Sequence, residues 1–306
     1  MKLPIRVVAV SVIMEWSWFP LVLMSAFCLG VYDLFKKSAV RDNSVSLVLF
    51  LATLSGSALY VLWAVCGGDF ARLLFCTPFE YGMIWIKSCI VGFSWFCIYY
   101  SLQTLPISIA APIRATSPFW GIIGAIILYK EVPTMIQALG MLLIIAGYYC
   151  FSVLGHKEGL SFAKSRGMKL ILLSAVTGAM SGLYDKYLLN VLRIEPRVVQ
   201  LHFSIDLVLL FAVLLVVRHF VGQPMPRLRW SWAIPLTGVF LILADFLYFK
   251  ALSLPGIYIM QVSLVRRFSC VIAFVLGSLI FREQNIRDKA LALFLVMAGV
   301  VILGLF

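Results

Sequence analysis

The chain has 306 residues, of which 63% are hydrophobic and only 12% charged, against about a quarter charged in soluble domains. With a mean hydropathy of +1.04, this excludes a soluble globular fold, whose surface must be wetted, and excludes disorder, which needs low hydrophobicity. The net charge is nevertheless +12, so the composition asks where cations sit in a chain solvated mostly by lipid.

In residues 1–17, Lys2 and Arg6 precede a short apolar run, as in a signal peptide. Glu15, Trp16 and Trp18 follow with no small-residue cleavage site, so no cleaved signal is read, and Met14 is an alternative start. Ten apolar segments come next, near 18–36, 47–66, 81–102, 107–129, 136–154, 170–190, 198–220, 231–252, 257–280 and 288–306. Each is long enough to cross about 30 Å of hydrocarbon as an α-helix. Spanning strands would be shorter and strictly alternating, and lipid leaves unpaired backbone groups without partners. The predicted fold is therefore an all-α membrane protein of ten transmembrane helices. The longest connection, 155–169, is the natural linker between two halves. No connection has room for a soluble catalytic domain.

The two halves repeat. Gly30-x-Tyr32-Asp33 near the end of span 1 matches Gly182-x-Tyr184-Asp185 near the end of span 6. Tyr99 precedes Pro106 by the same interval as Tyr248 precedes Pro255. Arg114, Ser117 and Tyr129-Lys130-Glu131 match Arg266, Ser269 and Phe281-Arg282-Glu283. Ala146-Gly147 matches Ala298-Gly299. A five-helix unit is odd, so the second copy enters the bilayer from the opposite side, the arrangement of many secondary transporters. The predicted organisation is an N-terminal segment 1–17, a first repeat 18–154, a linker 155–169 and a second repeat 170–306.

Five plus five spans, the basic-Glu steps Lys130-Glu131 and Arg282-Glu283, the Gly/Ala-rich fifth helix with Gly140, Ala146 and Gly147, and the Pro-marked turns resemble the EamA family of the drug/metabolite transporter superfamily. The resemblance covers nearly all of the chain after residue 17. It implies a central cavity lined mainly by helices 1, 3, 4, 6, 8 and 9, and secondary transport of small metabolites, often export. It also implies cytoplasmic termini. The charge count points the other way. Lys36, Lys37, Arg41, Lys157, Lys164, Arg166, Lys169, Arg218, Arg227, Arg229, Arg282, Arg287 and Lys289 fall toward one face, here called side B. Only Lys2, Arg6, Arg72, Lys130, Arg193 and Arg197 fall on side A, 13 against 6, which puts side B inside and both termini outside.

Ionisable residues within spans are costly and face cavities or partners. Asp33 and Arg114 approach side B, and Asp185 and Arg266 approach side A. The pairs Asp33–Arg114 and Asp185–Arg266 are read as two gates, with static bridges or an anion site at the arginines as alternatives. Tyr32, Trp95, Tyr99, Tyr184 and Tyr248 join these four as substrate-binding or gating candidates. Ser174, Gly178, Ser181, Gly182 and Asp185 share one face, either for close packing or along a wet path. Asp245, deep in span 8, and the His202–Asp206 pair of span 7 are the ion-coupling candidates. Lys87 and Lys250 are expected to snorkel. Trp18, Trp63, Trp230 and Trp232 read as interface anchors.

The seven cysteines have no metal-ligand spacing, and no cofactor, metal or catalytic residue is implied. The reading is a secondary transporter, not an enzyme, of a small metabolite that is amino-acid-like, anionic or amphoteric. It works by alternating access, with proton coupling or exchange, in a bacterial inner or plasma membrane. Its partners are that metabolite and the bilayer. A homodimer is left open, and the loop charges are no nucleic-acid footprint. Alternatives are a lipid-linked sugar or lipid flippase of the same superfamily and, distantly, an intramembrane aspartyl protease. The latter's Gly-x-Gly-Asp motif is absent.

Overall fold

The computed structural model describes residues 18–129, 133–158, 164–221, 228–252 and 259–305, and every element among them is helical. The first half contains α1 (Trp18–Arg41), α2 (Val45–Cys66), the single turn α3 (Phe70–Leu73), α4 (Pro78–Thr104), α5 (Ile107–Ala115), α6 (Ser117–Tyr129) and α7 (Met135–Lys157). The second contains α8 (Arg166–Lys186), running into a π-turn at Tyr187–Val191, then α9 (Pro196–Phe220), α10 (Ala233–Leu252), α11 (Ile259–Arg266), α12 (Ser269–Ile280) and α13 (Ile286–Leu305). Seven of these, α1, α2, α4, α7, α8, α9 and α13, are long and apolar enough to cross a membrane; α10 carries a shorter apolar stretch, Ala233–Tyr248. The segments 1–17, 130–132, 159–163, 222–227 and 253–258 and residue 306 lie outside the described residues, and with them Lys130, Glu131 and Pro255.

Local chemistry accounts for several boundaries. Thr77 and Glu80 form a reciprocal capping box at the start of α4, as do Thr134 and Gln137 at α7. The fourth predicted span is broken. Pro118 has no N–H for the carbonyl of Arg114, the bonding tightens so that Phe119 N–H reaches Thr116, and the Ser117 hydroxyl donates to the Arg114 carbonyl instead. The ninth span is broken at the corresponding place without a proline, through a tight turn in which Cys270 and Val271 N–H reach back only three residues, to Arg267 and Phe268. At its far end, α12 closes with Arg282 in the left-handed region (φ 50°) and Glu283 N–H donating to Ser278, a Schellman-type stop made without glycine.

The halves are interleaved. α1 packs along α10, and its counterpart α8 packs along α4; α2 packs on α9 and α10, with α9 on α4 in return; α7 packs on α13. At the last crossing a Cβ on Gly299 would lie 2.5 Å from the Gly140 carbonyl, so only glycine permits that approach. Gly238 of α10 sits likewise on α2, where a Cβ would overlap the Ala52 carbonyl and lie 2.6 Å from the Gly56 nitrogen. The symmetry is not complete. α1 also packs on α4 and α5 on α13, whereas their counterparts, α8 with α10 and α11 with α7, make no comparable contact among the described residues. Gly30 seats Ile272 of α12, but a Cβ on its counterpart Gly182 would meet nothing within 4 Å.

Candidate functional site

The cavity sits where the duplicated residues converge. It encloses about 470 Å³ and is lined by Tyr32 and Asp33 of α1, Lys87, Ser94 and Trp95 of α4, and Ala111 and Arg114 of α5. Ser174, Gly178, Ser181, Gly182 and Asp185 of α8, Asp245 and Tyr248 of α10, and Arg266, Arg267 and Ser269 complete it. The small-residue face of α8 thus does both: it lines the cavity, and Ser174 within it is buried against α4, its hydroxyl 3.1 Å from that of Ser94. A smaller apolar annex of about 40 Å³ adjoins it, where Tyr99, Leu207 and Ile242 meet residues shared with the main cavity, including Trp95, Phe203 and Asp245.

The charges are paired in an unequal way. Asp33 holds the ammonium of Lys36, and Arg114 stands 3.7 Å away. Lys36 belongs by sequence with the side B loop charges, but it is fully buried, and its ammonium lies 4.4 Å from the ring centre of Tyr32 and 5.7 Å from that of Tyr99. The expected pair Asp185–Arg266 does not form. Asp185 is bound by Lys87 at 2.7 Å, while Arg266 bonds Asp245 and stacks on Tyr248 at 4.4 Å. The reason is reach. Asp245 and Tyr248 lie on one face of α10, beside the end of α11, and offer the guanidinium a carboxylate and a ring together. Lys87 therefore does not snorkel to the headgroups; it crosses from α4 to α8.

Arg267, which has no place in the sequence-based pairs, donates to the carbonyl of Ala115 at 2.9 Å. The break in α5–α6 orphans that carbonyl, and Ala115 is the repeat counterpart of Arg267. The two helix breaks are thus joined across the cavity.

The other candidates lie elsewhere. Tyr184 is outside the cavity, its hydroxyl donating to the Met83 carbonyl at 3.2 Å. His202 and Asp206 stand at the α4–α9 contact. Tyr99 is buried against the annex.

The two faces differ. At side B, Lys37 bonds the carbonyls of Leu102 and Leu105, Gln103 bonds those of Val40 and Asn43, and Asn43 pairs with Arg229. Glu283 accepts from the N–H groups of Ile107 (2.7 Å) and Ser108 (3.1 Å), capping α5 from the second half. Lys289, also fully buried, joins Glu158 at 2.9 Å. Toward side A, the Asp185 side chain is 38% exposed, against 14% for Asp33. The described side A bridges, Arg72–Glu195 and Arg197–Asp69, are peripheral and exposed.

Two stretches, residues 16–153 and 165–305, each match the profile of the EamA-like transporter family. The chain belongs to the EamA-like transporter family. It is therefore a multi-pass membrane transporter of the drug/metabolite transporter superfamily, built on an inverted repeat, and works on a small molecule in a bilayer. Members of this family are transporters, not enzymes. No curated protein sequence matches significantly. A solved crystal structure, described simply as that of a protein, superposes with a TM-score of 0.63 over 92% of this EamA chain and 94% of its own, at 17% identity, a likeness of fold.

Proposed function

We propose that the protein carries a small anionic or amphoteric metabolite across a bacterial inner or plasma membrane by alternating access between two five-helix halves, with ten spans in all. The observation that carries this is the cavity's charge. Three carboxylates, Asp33, Asp185 and Asp245, and four cations, Lys87, Arg114, Arg266 and Arg267, line the cavity, and Asp33 is further engaged by the buried Lys36. Arg114 is held only loosely, because its carboxylate is already engaged by Lys36. A forked guanidinium with spare donors suits a carboxylate or phosphate, and Asp185 and Asp245 offer partners to an ammonium. The short apolar annex suits a small aliphatic group.

Closed contacts at side B and the greater exposure of Asp185 toward side A support reading this as one of two alternating states. The repeat supplies the other by exchanging roles, so that α8 closes on α10 as α1 parts from α4.

The test is counterflow in proteoliposomes. Vesicles loaded in turn with amino acids, dicarboxylates, sugar phosphates or neutral sugars are assayed for uptake of the labelled compound. Saturable counterflow of a carboxylate or zwitterion, abolished in Arg114→Ala, supports the reading. Flux linear in concentration, or counterflow confined to a lipid-linked sugar, overturns it.

A further inference from the structure

Four carboxylates lie within the spans: Asp33, Asp185, Asp245 and Asp206. Among the described residues, the first three each have a cation within ion-pair distance, and Asp206 has none. It lies on α9, ten residues from Pro196 and so about 15 Å from side A, and is 1% exposed. One carboxylate oxygen accepts from the Ser88 hydroxyl at 2.9 Å and the other from the Tyr81 hydroxyl at 3.3 Å, both on α4. One turn toward side A is His202, whose ring meets Tyr81 edge-on at 5.7 Å and whose Nε2 has no hydrogen-bond partner.

The other ionisable groups around it are neutral or already engaged, among them Glu80, which closes the capping box with Thr77. From α4 come Tyr81, Cys89 and Lys87, the last committed to Asp185; from the stretch before α4 comes Cys76. From α2 comes Tyr60, whose hydroxyl is 3.5 Å from the Arg197 carbonyl. On the side A turns, Asp69 pairs with Arg197, and Arg72 with Glu195.

A buried carboxylate with two neutral donors and no cation is the group in this chain for which the neutral acid is least disfavoured. We propose that Asp206 is the proton-binding site of the transporter. This rests on the transport reading above. In the loading step the Asp206 carboxylate takes up one proton and becomes a neutral acid, and releasing that proton restores the carboxylate. The site is wired to the cavity through two contacts. Ser88 adjoins Lys87, which binds Asp185, and the Lys87 ammonium lies 4.8 Å from the ring centre of Phe203 on α9. Loading the proton removes the charge that Ser88 and Tyr81 hold, which loosens the α4–α9 contact bordering the cavity. Asp245, another candidate from sequence, is instead held by Arg266.

The test needs no substrate. The protein is reconstituted in phosphatidylcholine vesicles and titrated while the carbonyl stretch of protonated carboxyl groups is followed by difference infrared spectroscopy. Wild type is expected to gain a band at mildly acidic pH. Asp206→Asn is expected to lose it and Asp245→Asn to keep it. Ser88→Ala moves the midpoint, which a merely structural serine would not. Absence of the band in wild type, its persistence in Asp206→Asn, or its equal loss in Asp245→Asn overturns the assignment. Counterflow with no Asp206 band removes the proton site and leaves the transporter; an Asp206 band with no counterflow of any compound does the reverse.

Discussion

Glu283→Gln isolates the contact that closes side B. The carboxylate accepts from two backbone N–H groups at the start of α5, at 2.7 and 3.1 Å, from the opposite half of the molecule. A hydrogen bond to a charged group contributes about 1.5–3 kcal/mol and a neutral one about 0.5–1.5. Glutamine keeps one neutral acceptor in the same place. The second N–H is left facing an amide donor, so two charge-assisted bonds give way to one neutral one and the closed face should lose about 2–4 kcal/mol relative to the open one, a shift of roughly 30- to 1,000-fold in the balance between them. The assay is maleimide labelling of Leu105→Cys, a fully buried position beneath the α4–α5 turn, in a chain whose seven native cysteines are replaced. Labelling should speed up by that factor in the Glu283→Gln background. An unchanged rate alongside a lowered melting temperature would make Glu283 a mere brace and refute the reasoning.

Arg266→Ala strands Asp245 in the spans, so a loss of about 3–5 kcal/mol is expected, read from thermal unfolding in detergent; adding Asp245→Asn should recover most of it. Gly238→Ala drives a methyl into the Ser55 hydroxyl and the Ala52 carbonyl, well inside van der Waals contact, and should cost about 1–3 kcal/mol. Gly82→Ala, with nothing within 4 Å, should be neutral or slightly stabilising in the same melt. Charge reversal at the exposed Arg72–Glu195 bridge should leave the melting temperature unchanged. A C-terminal reporter active only outside the cytoplasm should report activity if the basic face is cytoplasmic, and none if the termini are.

Much of the architecture is legible in the sequence because lipid imposes it. A run of apolar residues must become helix, and the recurrence of Tyr-Asp, Arg and basic-Glu landmarks at one interval implies two inverted copies. The recurrence also marks the cavity, since Asp33, Arg114, Asp185 and Arg266 all line it. What it does not supply is pairing. Lys36, Lys87 and Asp245 have no counterpart in the other half, and these three decide which duplicated charge meets which partner. The break in the ninth span is hidden for a different reason: no proline marks it, and only alignment with Pro118 in the fourth points to it. Arg267 escapes a pairing read from sequence because its partner is a backbone carbonyl, freed by a break in another helix. Glu283 carries a signal, its match with Glu131, but nothing local says that its carboxylate reaches α5.

The central claim is that the molecule alternates between two faces, and one paired distance measurement tests it. Spin labels at Arg41→Cys and Thr104→Cys span α1 and α4 at side B; labels at Tyr187→Cys and Lys250→Cys span α8 and α10 at side A. In reconstituted protein, introducing Glu283→Gln should lengthen the first distance and shorten the second. Both distances moving in the same sense, or neither moving, would contradict the account.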